Sequence, residues 1–138
     1  MILIIRISGL VENDKKLEET LSRMRLRRKY SAILIHSSDE NKKLLQKIRN
    51  YIAYGPIDKE TLKLLIEKRA KSIDKKKVDA EKILEHIDKK SMLSLGLKPY
   101  FRLHPPRGGI DSKIHFGKKK GVLGDNKEKI NYLVRRML

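Results

Sequence analysis

The first 58 residues predict an α/β layer fold. Two observations carry this: three short apolar runs rich in β-branched residues, at 1–7, 31–35 and 53–57, and two intervening stretches whose leucines, isoleucines and methionines recur at helical spacing. In order they read β-α-β-α-β, with strands that can lie parallel and connections for which a right-handed crossing is strongly preferred. A helical middle extension at 59–96 and a basic C-terminal loop plus helix at 97–138 complete the chain, and no stretch repeats at a fixed period.

The first run is apolar except for Arg6, as expected of a central strand covered on at least one face. It is far short of the about 20 apolar residues that span a bilayer. It also lacks the basic start and small-residue cleavage site of a signal peptide, so a soluble, intracellular protein is expected. Ser8-Gly9 ends the strand. Asn13 or Asp14 can cap a helix in which Leu17, Leu21 and Met24 share one stripe, and Arg25, Arg27, Arg28 and Lys29 close that helix. Residues 31–35 are the second strand. Ser37, Ser38 and Asp39 supply turn and cap chemistry before a helix carrying Leu44, Leu45, Ile48 and Ile52, and the third strand ends at Gly55-Pro56.

Asp58 can cap a further helix with Leu62, Leu65, Ile66 and Arg69, and a second one around 79–87 carries Ile83, Leu84 and Ile87, with Lys75-Lys76-Lys77 between them. Residues 97–104 read as a short strand that Pro105-Pro106-Arg107-Gly108-Gly109 cannot continue. From there to Gly124 apolar periodicity is weak, so a long surface loop is expected. Asp125 and Glu128 have capping-box spacing, and Ile130, Leu133, Val134 and Met137 form the stripe of a last helix.

Charge narrows the function. The 138 residues hold 34 Lys plus Arg against 17 Asp plus Glu, a net +17. Such a charge opposes compaction unless an anionic partner is close by. Residues 1–58 carry +5, residues 59–96 carry +4 and residues 97–138 carry +8, so the field is strongest where the expected backbone is least regular. Arginine forks onto phosphate oxygens, glycine permits close backbone approach and lysine neutralises phosphate charge. The chain has no cysteine, which excludes disulfides, cysteine nucleophiles, iron–sulfur clusters and thiolate zinc sites.

Each candidate group has a structural reading beside the functional one. His104 and His115, with Asp111 and Asp125 near in sequence, match no standard metal-ligand spacing, so no metal or catalytic site is expected. The segment 117–124 has neither GxxxxGK[ST] nor GxGxxG spacing, so no nucleotide cofactor is expected, although a nucleic-acid phosphate can sit at the helix that follows. The cluster at 25–29 serves either as a dipole-compensating helix end or, since three arginines in four residues exceed that need, as a phosphate contact. Lys75-Lys76-Lys77 fits a polar turn or a nucleic-acid contact equally. Tyr51, Tyr100 and Phe101 are core or edge residues, or base-stacking ones.

The segment Phe101-Arg102-Leu103-His104-Pro105-Pro106-Arg107-Gly108-Gly109, then Gly121-Val122-Leu123-Gly124 and the ending Leu133-Val134-Arg135-Arg136-Met137-Leu138, resembles the archaeal form of large-subunit ribosomal protein L-thirty, related to eukaryotic L-seven. Arg25-Leu26-Arg27-Arg28 and Tyr54-Gly55-Pro56-Ile57 resemble the part shared with the short bacterial form. The resemblance implies a ferredoxin-like core bound to 23S-type ribosomal RNA without catalysis or cofactor, in the cytoplasmic large ribosomal subunit, on the side of the 5S RNA and beside other ribosomal proteins. The expected RNA contacts are Arg25, Arg27, Arg28, Lys29, Arg102, His104, Arg107, Gly108, Gly109, Lys113, Lys118, Lys119 and Lys120. The competing readings are a nucleic-acid-processing enzyme using His104, Asp111 and His115, and a nonspecific DNA-binding protein.

Overall fold

The computed structural model describes residues 1–7, 15–36, 38–49, 51–70, 80–87, 95–105, 112–115 and 121–138. The caps expected at Asn13, Asp14 and Ser37, the lysines 75–77 and the segments 106–111 and 116–120 lie outside them.

Among the described residues six strands form one sheet: β1 (Ile2–Arg6), β2 (Ser31–Ile35), β3 (Ile52–Pro56), β4 (Phe101–Arg102), β5 (Ser112–His115) and β6 (Gly121–Asp125), in the order β4-β2-β1-β3-β6-β5. The central place expected for the first run is observed. The expected parallel arrangement is not, because β1 pairs antiparallel with both β2 and β3, Ile4 lying between Ile33 and Tyr54. The reason lies at the end of β1. Helix α1 (Lys15–Arg23) finishes beside Arg6, so the chain enters β2 at the end where β1 left off, and the Tyr30 N–H donates to the Arg6 carbonyl at 2.7 Å. Helix α2 (Asp39–Ile48) then returns the chain to the same end, where the Ile7 N–H donates to the Tyr51 carbonyl at 3.0 Å. Thus β2 and β3 run in the same direction with β1 between them. The β-α-β-α-β order and the mixed, ferredoxin-like fold class stand.

Period-two alternation divides β1 between two cores. Ile2 and Ile4 join Ile33, Ile52, Leu21, Leu26, Leu45 and Ile48 on the face under α1 and α2. Leu3, Ile5 and Ile7 join the other face, covered by α3 (Lys59–Arg69), α4 (Ala80–His86) and α5 (Ile130–Met137) through residues including Leu65, Ile66, Ile83, Val134 and Met137. This explains why the first run shows no polar alternation.

Four expectations need correction. Ile52 begins β3 instead of ending α2. The strand expected over 97–104 is limited to Phe101–Arg102, since β4 finds partners only at Ser31 and Ala32 of β2. The long loop expected before Gly124 contains β5 and β6: β6 pairs in parallel with β3 at Ala53 and Tyr54, a tertiary contact that local periodicity does not announce. Asp125 therefore ends β6, and the cap position of the next turn falls to Asn126. A 3-10 turn at Lys127–Lys129 leads into α5, and the Asn126 amide donates to the Gly124 carbonyl at 3.1 Å. The stripe of α5 is as expected, with Ile130, Leu133, Val134 and Met137 all buried.

Gly55 shows how closely this turn approaches the sheet. A Cβ there would lie 2.4 Å from the Lys127 carbonyl oxygen and 2.9 Å from Ile130 Cγ2. Gly55→Ala is expected to cost about 1–3 kcal/mol of unfolding free energy by overpacking. Urea titration checks this; a loss under about 0.5 kcal/mol would show that the turn yields freely.

Asp58 caps α3 as expected, its carboxylate accepting from the Thr61 N–H at 2.7 Å. Thr61, through its hydroxyl and its backbone N–H, holds the Asp58 carboxyl below its ordinary value; slight burial opposes this and Arg135 adds to it. Of these two Thr61 groups, the N–H is the one that meets hydrogen-bond geometry with the carboxylate. A carboxyl with a depressed folded-state pKa stabilises above its unfolded value, and that contribution is lost as pH falls through the folded one. Asp58→Ala is expected to cost about 1 kcal/mol at pH 7 and less at low pH, the wild-type carboxyl losing its advantage as pH falls through its depressed folded-state value. Equal costs at both pH values would contradict the charge-based part.

Candidate nucleic-acid interface

The residues at 25–30 follow α1, which ends at Arg23, and close it from outside its last turn. They form its C-terminal cap and the entry into β2. The Leu26 N–H donates to the Leu21 carbonyl at 2.8 Å and the Arg25 N–H to the Ser22 carbonyl at 3.0 Å, with Arg25 left-handed at φ 66°. This is a Schellman cap, and the apolar contact that commonly accompanies one is present as Leu21 and Leu26, both fully buried. Arginine occupies the position that glycine usually takes. Tyr30, at φ 65°, is a second left-handed residue in the same turn.

A buried group holds this turn from below. Arg6 is fully buried; its Nη1 donates to the Leu26 carbonyl at 2.7 Å and its Nη2 pairs with Glu18 Oε1 at 2.5 Å. Sequence reading took Arg6 only as an interruption of the strand. The missed signal is a lone cation inside a run of β-branched residues, which needs an acceptor and an acid nearby.

Pairing of β4 with β2 brings in the second segment. Arg102 lies opposite Ser31, and the Leu103 N–H donates to the Tyr30 carbonyl at 3.1 Å. Arg25, Arg27, Arg28, Ser31, Tyr100 and Arg102 consequently line one pocket of about 250 Å3. The Arg102 guanidinium sits 5.6 Å from the centre of the Tyr100 ring, and Lys29 Nζ sits 5.1 Å from that of Tyr30. All four arginines are exposed, whereas Ser31 is buried. Of the candidate stacking residues, Phe101 is wholly buried in the core, and Tyr51 and Tyr100 are half-buried against the α1/α2 face.

Of the remaining candidates, His104 is exposed just past β4, its N–H donating to the Met137 carbonyl at 3.0 Å, which ties this segment to the end of α5. Lys113 belongs to β5, at the opposite edge of the sheet from β4. Arg107, Gly108, Gly109 and Lys118 to Lys120 lie outside the described residues. His115 is also on β5, so five strand spacings, roughly 24 Å, separate its strand from that preceding His104. That parts the two histidines of the enzyme reading. No group of three or more potential metal ligands occurs among the described residues. A further cation–aromatic pair went unnoticed in the sequence despite its i, i+4 spacing: on α5, Tyr132 is 68% exposed with the Arg136 guanidinium 5.7 Å from its ring centre.

Arg25→Gly is expected to stabilise the protein by about 1 kcal/mol in urea titration, by relieving the left-handed strain. An unchanged or lower midpoint would mean that the side chain itself supports the turn.

Fold and site together define a small, strongly basic, ferredoxin-like α+β protein that gathers arginines from two distant segments at one end of its sheet. No family model matches the chain. It is 35% identical to the large ribosomal subunit protein uL30 of Archaeoglobus fulgidus, over 99% of each chain, and 35% identical to that of Methanobrevibacter smithii over the whole of both. With uL30 of Pyrobaculum aerophilum it shares 32% identity over 98% of its own length and 92% of the relative's. The chain belongs to the uL30 family of large ribosomal subunit proteins, the family that its FRLHPPRGG segment resembles.

Proposed function

We propose that this protein is a structural constituent of the large ribosomal subunit in the cytoplasm and that it binds 23S-type ribosomal RNA through phosphates and shape. The observation that carries this reading is the convergence of Arg25, Arg27, Arg28 and Arg102 around one pocket. Four like charges drawn together by the fold need a polyanion to offset their repulsion. Retention of a strained arginine at a glycine-favouring position points the same way, since backbone strain of this kind clusters at functional sites. A-form RNA hides its major-groove base edges, so the arginines, Lys29 and His104 meet phosphates and 2′-hydroxyls. The Arg107-Gly108-Gly109 segment and Lys113, Lys118, Lys119 and Lys120 extend that contact, with 5S RNA and other ribosomal proteins as neighbours.

Binding of the free protein to large-subunit RNA tests this. The affinity is expected to fall with salt along a log–log slope of several units, each neutralised phosphate adding about −0.7 to −0.9. A salt-insensitive interaction, or a preference for duplex DNA, would overturn the proposal.

A further inference from the structure

The geometry points to a receptor for one unstacked nucleotide: the hollow lined by Arg25, Arg27, Arg28, Ser31, Tyr100 and Arg102 accepts a base extruded from the RNA together with its flanking phosphates. This deepens the RNA-binding reading and rests on it.

Three features set the hollow apart from a flat basic patch. It is concave, and its volume of about 250 Å3 falls just below the roughly 300 Å3 at which pockets for drug-sized ligands begin, which suits a single base or nucleotide. Its wall carries planar groups: Tyr100 is half-buried and anchored against the α1/α2 core, and the Arg102 guanidinium lies over its ring. Unstacked RNA bases stack on both tyrosine rings and guanidinium planes. Ser31, a small buried residue, lies in the lining between the two arginine-bearing segments and leaves the hollow its depth. Arg27 and Arg28 flank these planes with exposed charge suited to the phosphates on either side of the base.

The hollow is also held in shape. The β2–β4 pairing fixes Arg102 against Ser31, and the Arg6 guanidinium fixes the Leu26 carbonyl between Arg25 and Arg27. A continuous helix can offer the arginines its phosphates but keeps its bases stacked inside, so it offers the planar wall nothing to stack on. A bulge, loop or flipped nucleotide does.

The test uses the full-length protein and three RNA hairpins: one fully paired, one with a single-nucleotide bulge, and one with an abasic residue at the bulge. The bulged hairpin is expected to bind at least 5-fold more tightly than either of the others, base–aromatic stacking being worth about 5- to 150-fold per base. Tyr100→Ala is expected to remove that advantage while leaving affinity for the paired hairpin within 2-fold, and Tyr100→Phe to preserve it. Far-UV circular dichroism of both variants checks that they fold; should Tyr100→Ala fail to, Tyr100→Leu, which keeps apolar bulk but no ring, takes its place with the same expectation. Equal binding of all three hairpins with a steep salt slope would overturn the nucleotide receptor and leave RNA binding standing. Binding of none of them, together with salt-insensitive binding of large-subunit RNA, would overturn both.

Discussion

Replacing Arg6 by alanine is expected to lower the unfolding free energy by about 3 kcal/mol or more. The substitution takes the 2.7 Å donor from the Leu26 carbonyl and the Arg6 cation from the half-buried Glu18 carboxylate, and opens a space at the end of the central strand. A buried ion pair is dear to break on one side yet often replaceable as a unit. The double variant Arg6→Met with Glu18→Gln is therefore expected to regain stability to within about 1 kcal/mol of wild type. The two outcomes separate roles. If the double variant is stable but binds RNA about tenfold less tightly, Arg6 acts by positioning the arginine turn. If it binds normally, the guanidinium serves stability alone. Urea titration and filter binding read both, and an Arg6→Ala cost below about 1 kcal/mol would contradict the anchoring role.

The combined variant Arg27→Ala, Arg28→Ala and Arg102→Ala is expected to bind large-subunit RNA about 100-fold less tightly at moderate salt, with a log–log salt slope shallower by about two units. All three side chains are exposed, so thermal stability should change little or rise slightly as their mutual repulsion disappears. An unaltered slope would move the RNA surface elsewhere, first to Lys118, Lys119 and Lys120. A slope changed by Arg27 and Arg28 but not Arg102 would show that the two segments act apart despite sharing a pocket.

Local chemistry in the sequence was enough to place the helices and two of their caps. Ser38 and Asp58 cap α2 and α3 where the residue types suggest, and the Ile130-to-Met137 stripe lies in the core. Strand direction was not legible, because antiparallel pairing of β1 depends on which end of the sheet α1 finishes at, and contacts there such as Arg6–Leu26, twenty residues apart, show in neither periodicity nor propensity. For the same reason β6 passed for loop: Gly121 and Gly124 look like turn residues, and only the parallel partner β3 makes them a strand. Half of the interface was visible as the arginine cluster. Its joining to Tyr100 and Arg102 required β4 to pair with β2 through just two residue pairs, and its support by Arg6 required reading a buried charge as an anchor.

The burial of β1 from both sides constrains how this molecule can meet RNA at all. Many small RNA-binding domains lay bases across an open sheet, using its aromatics as a table top. Here that table is occupied above and below by α1 and α2 on one side and α3, α4 and α5 on the other. Contact is left to the rim, where strands end and turns project. Rim contacts would fit a crevice between RNA segments better than a single exposed strand, and the proposed RNA binding would then draw on the stiffness of the layered body behind the rim.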